Sequence, residues 1–227
     1  MGIKENIEAL NSEIAKHCDS CGRNPNEIVL VAASKYVDAG GVAEAYSAGL
    51  RNFGENRIQD ALTKMDGLPE DISWHMIGHL QGNKAAKAVG AFDLIHSVDS
   101  RELADRIADI ASERGIVQSI LLEVNVSGED SKFGFNVEGA RACFSEIYRE
   151  KSLNLLGFMT MAPLTGDEAA IRATFRGLRE LRDLLQSENG IVIPVLSMGM
   201  TNDWRIAIEE GATHLRIGSA IFLEGKA

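Results

Sequence analysis

Short apolar runs separated by helix-patterned stretches constrain this chain more than any other feature. The run IVLVAASK at 28–35 is continuous, rich in β-branched residues and too short for a helix, as expected of a strand buried on both faces. Similar runs recur near 50–53, 73–77, 92–96, 117–126, 153–158, 192–196 and 213–217. Between them lie helical patterns at 39–49, 56–66, 83–90, 100–114, 137–150, 168–187 and 202–210. In the clearest, 168–187, Ile171, Phe175, Leu178, Leu181 and Leu185 mark one face while Arg172, Arg176, Arg179 and Arg182 lie largely off it. Strand–helix alternation gives right-handed βαβ units and a parallel sheet, and eight strands favour a closed (β/α)8 TIM barrel over an open doubly wound sheet. An extra N-terminal helix precedes the first strand, with Ile3, Ile7, Leu10 and Ile14 on one face and Gly22 and Pro25 as its stop. It is expected to cover the bottom of the barrel.

A barrel of this type usually takes about 250 residues, and the chain has 227. Loops must be short, and one domain is expected across 1–227, with nothing left for a second. The hydrophobic share of 45% is that of an ordinary globular chain, and no apolar run is long enough to span a bilayer. With 33 acidic against 23 basic residues the net charge is −10, so nucleic acid and anionic membranes are poor partners. Cys18, Cys21 and Cys143 are too few for a disulfide framework, and the N-terminus has no apolar signal core, which together favour a cytoplasmic protein. Cys18-x-x-Cys21 falls at a helix end, where the dipole disfavours a thiolate, and reads as structural.

In a barrel the chemistry sits at the C-terminal strand ends. Lys35 follows the first run directly and is expected at the mouth, partly desolvated; that would free its amine to attack a carbonyl, whereas a snorkelling lysine is the plainer reading. The seventh run leads into Ser197-Met198-Gly199-Met200-Thr201-Asn202-Asp203 and the eighth into Gly218-Ser219. Both resemble anion-binding loops, since small residues admit a phosphate and hydroxyls donate to it, although helix caps and a tight turn would use the same residues. Arg216 precedes Gly218 and either pairs with a carboxylate such as Glu123 or serves the mouth. Pyridoxal phosphate needs a lysine, a phosphate cradle and a partner for its ring nitrogen, and these strand ends can supply all three. His75, His79 and His96 lack metal-ligand spacing; no metal site is expected, and His75 and His96 read as hydrogen-bonded barrel residues. Met159, Met161, Met198 and Met200 read as core, with a methionine-lined mouth as the alternative.

Eight blocks in order carry a resemblance to the pyridoxal-phosphate homeostasis protein family: VAASK (31–35), FGENRIQD (53–60), WHMIGHLQGNK (74–84), IHSVDS (95–100), EVNVSGEDSKFGF (123–135), GFMTMAP (157–163), LSMGMTND (196–203) and RIGSAIF (216–222). The resemblance implies an alanine-racemase N-terminal-domain-like barrel in which Lys35 holds pyridoxal 5'-phosphate as a Schiff base. It also implies that Arg216 faces the ring nitrogen and that Ser197, Gly199, Gly218 and Ser219 form the phosphate cradle. Asn56 and the stretch from Met76 to His79 would lie near the cofactor, and Lys132 would act at the mouth as a transient acceptor. The chain departs from the family pattern at Tyr36-Val37-Asp38, where a Thr/Lys/Pro-type turn is usual, and at His79, where a proline is often found.

Two functions follow from these residues. One is a binding protein that buffers the cofactor and delivers it to apo-enzymes dependent on it, without efficient catalysis. The other is a pyridoxal-phosphate-dependent amino-acid racemase. The resemblance implies that racemases of this fold take a second base, a tyrosine, from a partner subunit's additional β-domain, and the tyrosines here are only Tyr36, Tyr46 and Tyr148. An arginine on the ring nitrogen also weakens the cofactor as an electron sink. The binding protein is therefore favoured, as a monomer; a barrel for some other phosphorylated metabolite is the third reading.

Overall fold

The computed structural model describes residues 2–129 and 132–222. Eight parallel strands close into a barrel in chain order, β1 pairing with both β2 and β8. They are β1 (Val29–Ala33), β2 (Asn52–Glu55), β3 (Ser73–Met76), β4 (Leu94–Val98), β5 (Gln118–Glu123), β6 (Leu153–Met159), β7 (Val195–Ser197) and β8 (His214–Ile217). The outer helices are α1 (Ile3–Cys21), α2 (Ala39–Ser47), α3 (Ile58–Met65), α4 (Ala85–Ala88), α5 (Arg101–Glu113), α6 (Val137–Tyr148), α7 (Glu168–Asn189), α8 (Trp204–Glu209) and α9 (Ser219–Phe222).

Each expected strand is present, with shifts that have local causes. The seventh begins three residues later than its apolar run, after Pro194, which has no N–H to give a ladder, and Val192 is left exposed. The fifth stops at Glu123; Val124 N still donates to Met159 O at 2.8 Å, and from there the chain bridges Phe135 instead of continuing along β6. The pattern at 83–90 yields only a 3₁₀ turn and the four-residue α4. Helix α7 forms as its stripe predicts, capped by the Asp167 carboxylate, which accepts from the Ala169 and Ala170 N–H, and ended by Gly190 at φ 64°. Arg172, Arg176 and Arg179 all reach the buried carboxylate of Glu210, fastening α7 to the end of α8.

The N-terminal helix does not cover the bottom of the barrel. Helix α1 packs against α2, α8 and α9, filling the place in the outer ring that the four-residue α9 is too short to fill. Its Asn6 side chain donates to Ile221 O at 3.0 Å, and Arg23 beyond its end donates to Ile208 O and Ala212 O.

Strand parity divides the core. Outward residues such as Phe53, Trp74, Met76 and Ile95 pack under the helices in one large cluster. A smaller apolar cluster comprises Leu94, Leu121, Met159 and Val195. Beside it lies an unusual amount of buried polar matter: His75, His96, Glu123, Ser197 and Arg216 are all at most 5% exposed.

Candidate functional site

At the C-terminal strand ends a cavity of about 380 Å³ brings together Lys35, Asn56, Thr201, Arg216, Gly218 and Ser219. Its apolar walls come from Val37, Ile77, Met161, Met200 and Phe222. Lys35 stands in the turn after β1, whose end is anchored from outside the barrel. The Ser34 hydroxyl donates to Glu55 Oε1 at 2.6 Å, and Lys64 Nζ donates both to that oxygen and to Ser34 O. Lys35 itself is exposed, its Nζ 5.0 Å from the Tyr36 ring centroid. The expected partial desolvation is therefore absent: the turn carries the side chain beyond the strand end instead of into the apolar collar.

Arg216 is the buried cation of the cavity, 5% exposed. It does not pair with Glu123; its Nη1 donates to Ser197 Oγ at 2.6 Å and its Nη2 to Thr160 O at 2.9 Å. Burial pulls Arg216 down to about 10, which leaves it charged at neutral pH. Glu123 is pushed up to about 7 by burial and by the Asp99 carboxylate, against the pull of Arg216. Across the mouth, Gly218 and Ser219 run from β8 into α9, and the Ser219 hydroxyl donates to Thr201 Oγ1 at 3.0 Å.

Four of the expected residues lie apart from this wall. Ser197 is fully buried and points into the barrel, where it holds Arg216. Gly199, at φ 95°, is demanded by packing: a Cβ there would lie 2.6 Å from that of Ala207, and its carbonyl accepts from Arg216 N. Met76 is on the outward face of β3 within the main core, and its neighbour Ile77 is the one that reaches the cavity. Lys132 donates to Glu129 Oε1 at 2.7 Å and Ser127 Oγ at 3.1 Å, and it reaches the cavity wall through Met161 O, 3.4 Å away. Asp130 and Ser131, in the middle of the fifth sequence block, lie outside the described residues.

The apolar wall draws on residues that the sequence pointed to only as parts of longer stretches, and on Phe222, which it named only within the last block. Val37, Ile77 and Phe222 form apolar wall, and Met161 and Met200 join them while Met159 and Met198 are buried core, so the methionines divide between the two readings. His79, at the position where the family often has a proline, pairs with Asp99 at 3.0 Å and stacks on Phe133 with centroids 3.8 Å apart. Cys18 is buried and its thiol is pushed up mainly by burial, in keeping with a structural role.

A family model for the alanine racemase N-terminal domain matches residues 4–225. A pyridoxal phosphate homeostasis protein of Aquifex aeolicus is 42% identical over 227 residues, covering 100% of each chain. One of Pseudomonas aeruginosa is 40% identical, covering 97% of this chain and 94% of its own. Among solved structures, PipY of Synechococcus elongatus, with pyridoxal phosphate bound, matches with a TM-score of 0.86 at 38% identity, covering 97% of this chain and 99% of that one.

Proposed function

The chain belongs to the pyridoxal phosphate homeostasis proteins, which share the fold of the alanine racemase N-terminal domain, and from that premise we propose that it binds pyridoxal 5'-phosphate at the C-terminal mouth and acts in the homeostasis of that cofactor. The observation that carries this reading is the convergence in one cavity of the Lys35 amine, the Arg216 guanidinium and the small, hydroxyl-bearing edge of Gly218, Ser219 and Thr201. Each suits one part of the cofactor. The amine would hold the aldehyde as a Schiff base, the hydroxyls and the open backbone would take the phosphate, and the guanidinium would donate to the ring nitrogen. Gly218 adds a test of fit: a Cβ there would lie 3.0 Å from Ala33 O, crowding the edge beside the strand that presents Lys35. Val37, Ile77 and Met161 offer the ring an apolar wall, and Asn56 a polar rim.

When bound, the cofactor supplies an electrophilic aldehyde conjugated to an electron-withdrawing ring. Arg216 has only donors, so it favours an unprotonated ring nitrogen and a weak electron sink. That supports holding and release over turnover of amino acids. In this reading residues 1–227 serve as one cofactor-binding domain, a cytoplasmic monomer that passes its cargo to apo-enzymes. Lys132, linked to the cavity wall through Met161 O, would be the transient acceptor on the way out. Ser197 and Gly199 serve the site through Arg216 instead of touching phosphate. Among the described residues no helix is long and apolar enough to cross a membrane.

Titration of the purified protein with pyridoxal phosphate tests the reading. A visible absorbance band should grow in and saturate, and Lys35→Ala should lose it; an undiminished band in that variant would overturn the assignment of Lys35. Solvent deuterium exchange at the α-carbon of alanine separates binding from racemisation. No exchange above the free cofactor's own rate is expected, and rapid exchange lost in Lys35→Ala would establish the racemase instead.

A further inference from the structure

Behind Arg216 runs a chain of buried hydrogen bonds whose direction can be worked out one proton at a time. A guanidinium only donates, so the Ser197 oxygen accepts from Arg216 Nη1 at 2.6 Å. The serine's own proton then needs an acceptor, and the neighbour in reach is His96 Nδ1 at 2.9 Å. His96 must therefore carry its proton on Nε2, which points at His75 Nδ1, 2.8 Å away. His75 in turn carries its proton on Nε2, between Asn52 Oδ1 at 3.2 Å and Ser73 Oγ at 3.3 Å. The two ends agree: a donor-only cation begins the chain and an amide oxygen ends it. A second proton on either ring would set two N–H groups against each other across 2.8 Å or face the serine with a donor. Burial enforces neutrality, holding His75 at about 3 and His96 well below the ordinary histidine value, with the Arg216 charge acting in the same direction on His96. The other ionisable groups near this cluster are His214, whose ring centroid lies 6.2 Å from that of His75, Glu123 and Asp203 around Arg216, and Asp99 beside Glu123.

We propose that His96, acting through Ser197, is a positioning residue for Arg216, and that the one-way chain from Arg216 through Ser197, His96 and His75 to Asn52 fixes the guanidinium so that its remaining N–H groups present a rigid donor edge to the Lys35 cavity. The ligand specificity that follows rests on the reading of Arg216 as partner of the cofactor's ring nitrogen. The cavity should prefer a phosphorylated aromatic aldehyde with an accepting ring nitrogen over its carbocyclic analogue, in which that nitrogen is CH.

Two measurements test this. The first needs no ligand: long-range ¹H–¹⁵N NMR of the full chain should show His75 and His96 as Nε2–H tautomers that do not titrate between pH 5.5 and 8.5. A Nδ1–H tautomer or an ordinary titration at His96 would overturn the relay. The second compares affinities for pyridoxal phosphate and for the carbocyclic analogue in the wild type, in His96→Leu and in His96→Asn, whose amide oxygen can still accept from Ser197. His96→Leu should erode the preference for the ring nitrogen by about tenfold, the worth of a hydrogen bond to a charged group. His96→Asn should keep the preference within about twofold on the same scale. If His96→Leu keeps the full preference, or His96→Asn loses it equally, the positioning role is wrong; if His96→Leu does not fold, His96→Asn and the tautomers decide. Absence of any preference in the wild type would refute the ring-nitrogen reading of Arg216 while the tautomers still decide the relay.

Discussion

Acidification from pH 7 to pH 5 should destabilise this protein through its barrel interior, by an amount that follows from the buried histidines. Burial brings His75 from an ordinary 6.5 to about 3 and His214 to about 4, with smaller contributions from neighbouring positive charge. Between those values and 6.5 the unfolded chain binds protons that the folded chain refuses, so stability is complete above pH 6.5 and is lost as the pH falls. At pH 5 each of these histidines costs about 2 kcal/mol, since one pKa unit corresponds to about 1.36 kcal/mol. His96 acts in the same direction. Glu123 opposes them, because burial and Asp99 raise it from 4.5 to about 7 and its folded form gains a proton across that window. That gain offsets about 2 kcal/mol. From His75, His214 and Glu123 the net loss is about 2 kcal/mol, with His96 adding to it and Asp203, raised by burial, opposing it; about 2 kcal/mol moves a urea midpoint down by about 1 M at an ordinary m-value. The assay is urea unfolding at pH 7 and 5 at constant ionic strength, with Glu123→Gln alongside. The variant removes the opposing group and should show a deeper acid loss. A midpoint equal or higher at pH 5 would refute the neutral, buried histidine cluster.

Three further outcomes follow from the packing and the mouth. A Cβ on Gly157 would lie 1.9 Å from Val195 O, so Gly157→Ala should break the pairing of β6 with β7 and cost about 3 kcal/mol or more in urea unfolding; near-neutrality would mean that the strands do not approach this closely. Glu210→Ala should cost about 2 kcal/mol by calorimetry, because three arginines lose a buried partner at 2.9 to 3.2 Å, and high salt should reduce the difference. Lys132→Ala should slow transfer of pyridoxal phosphate to an apo-enzyme in stopped-flow absorbance without weakening its equilibrium binding; an unchanged transfer rate would remove Lys132 from the route.

The fold was legible because it is written in periodicity, and periodicity survives without tertiary information. Eight apolar runs and the five-residue stripe of α7 define strands and helices by their own spacing. What the pattern could not resolve was parity and depth. Met76 and Ile77 are adjacent and both apolar, so nothing in the sequence says which faces the helices and which the mouth; the inward turn of His75 decides it. Ser197 looked like a phosphate ligand because hydroxyls at strand ends commonly are. Its buried position depends on Arg216 arriving from a strand nineteen residues away. Lys35 lines the cavity at the mouth but stands exposed instead of partly desolvated, since whether a residue after a strand sinks or stands clear is set by the turn that follows. Helix α9 is only four residues long, too short to show a period, and the placement of α1 depended on it.

The central claim is that Lys35 is the amine that holds pyridoxal phosphate in this barrel. Reducing the loaded protein with borohydride and mapping the modified peptide by mass spectrometry tests it most directly. The account predicts a single stoichiometric pyridoxyl-phosphate adduct on Lys35, in the peptide after β1, with any label on Lys132 minor and dependent on Lys35 being occupied or absent. A stoichiometric adduct on another lysine while Lys35 stays unmodified, or no adduct in a saturated sample, would contradict it.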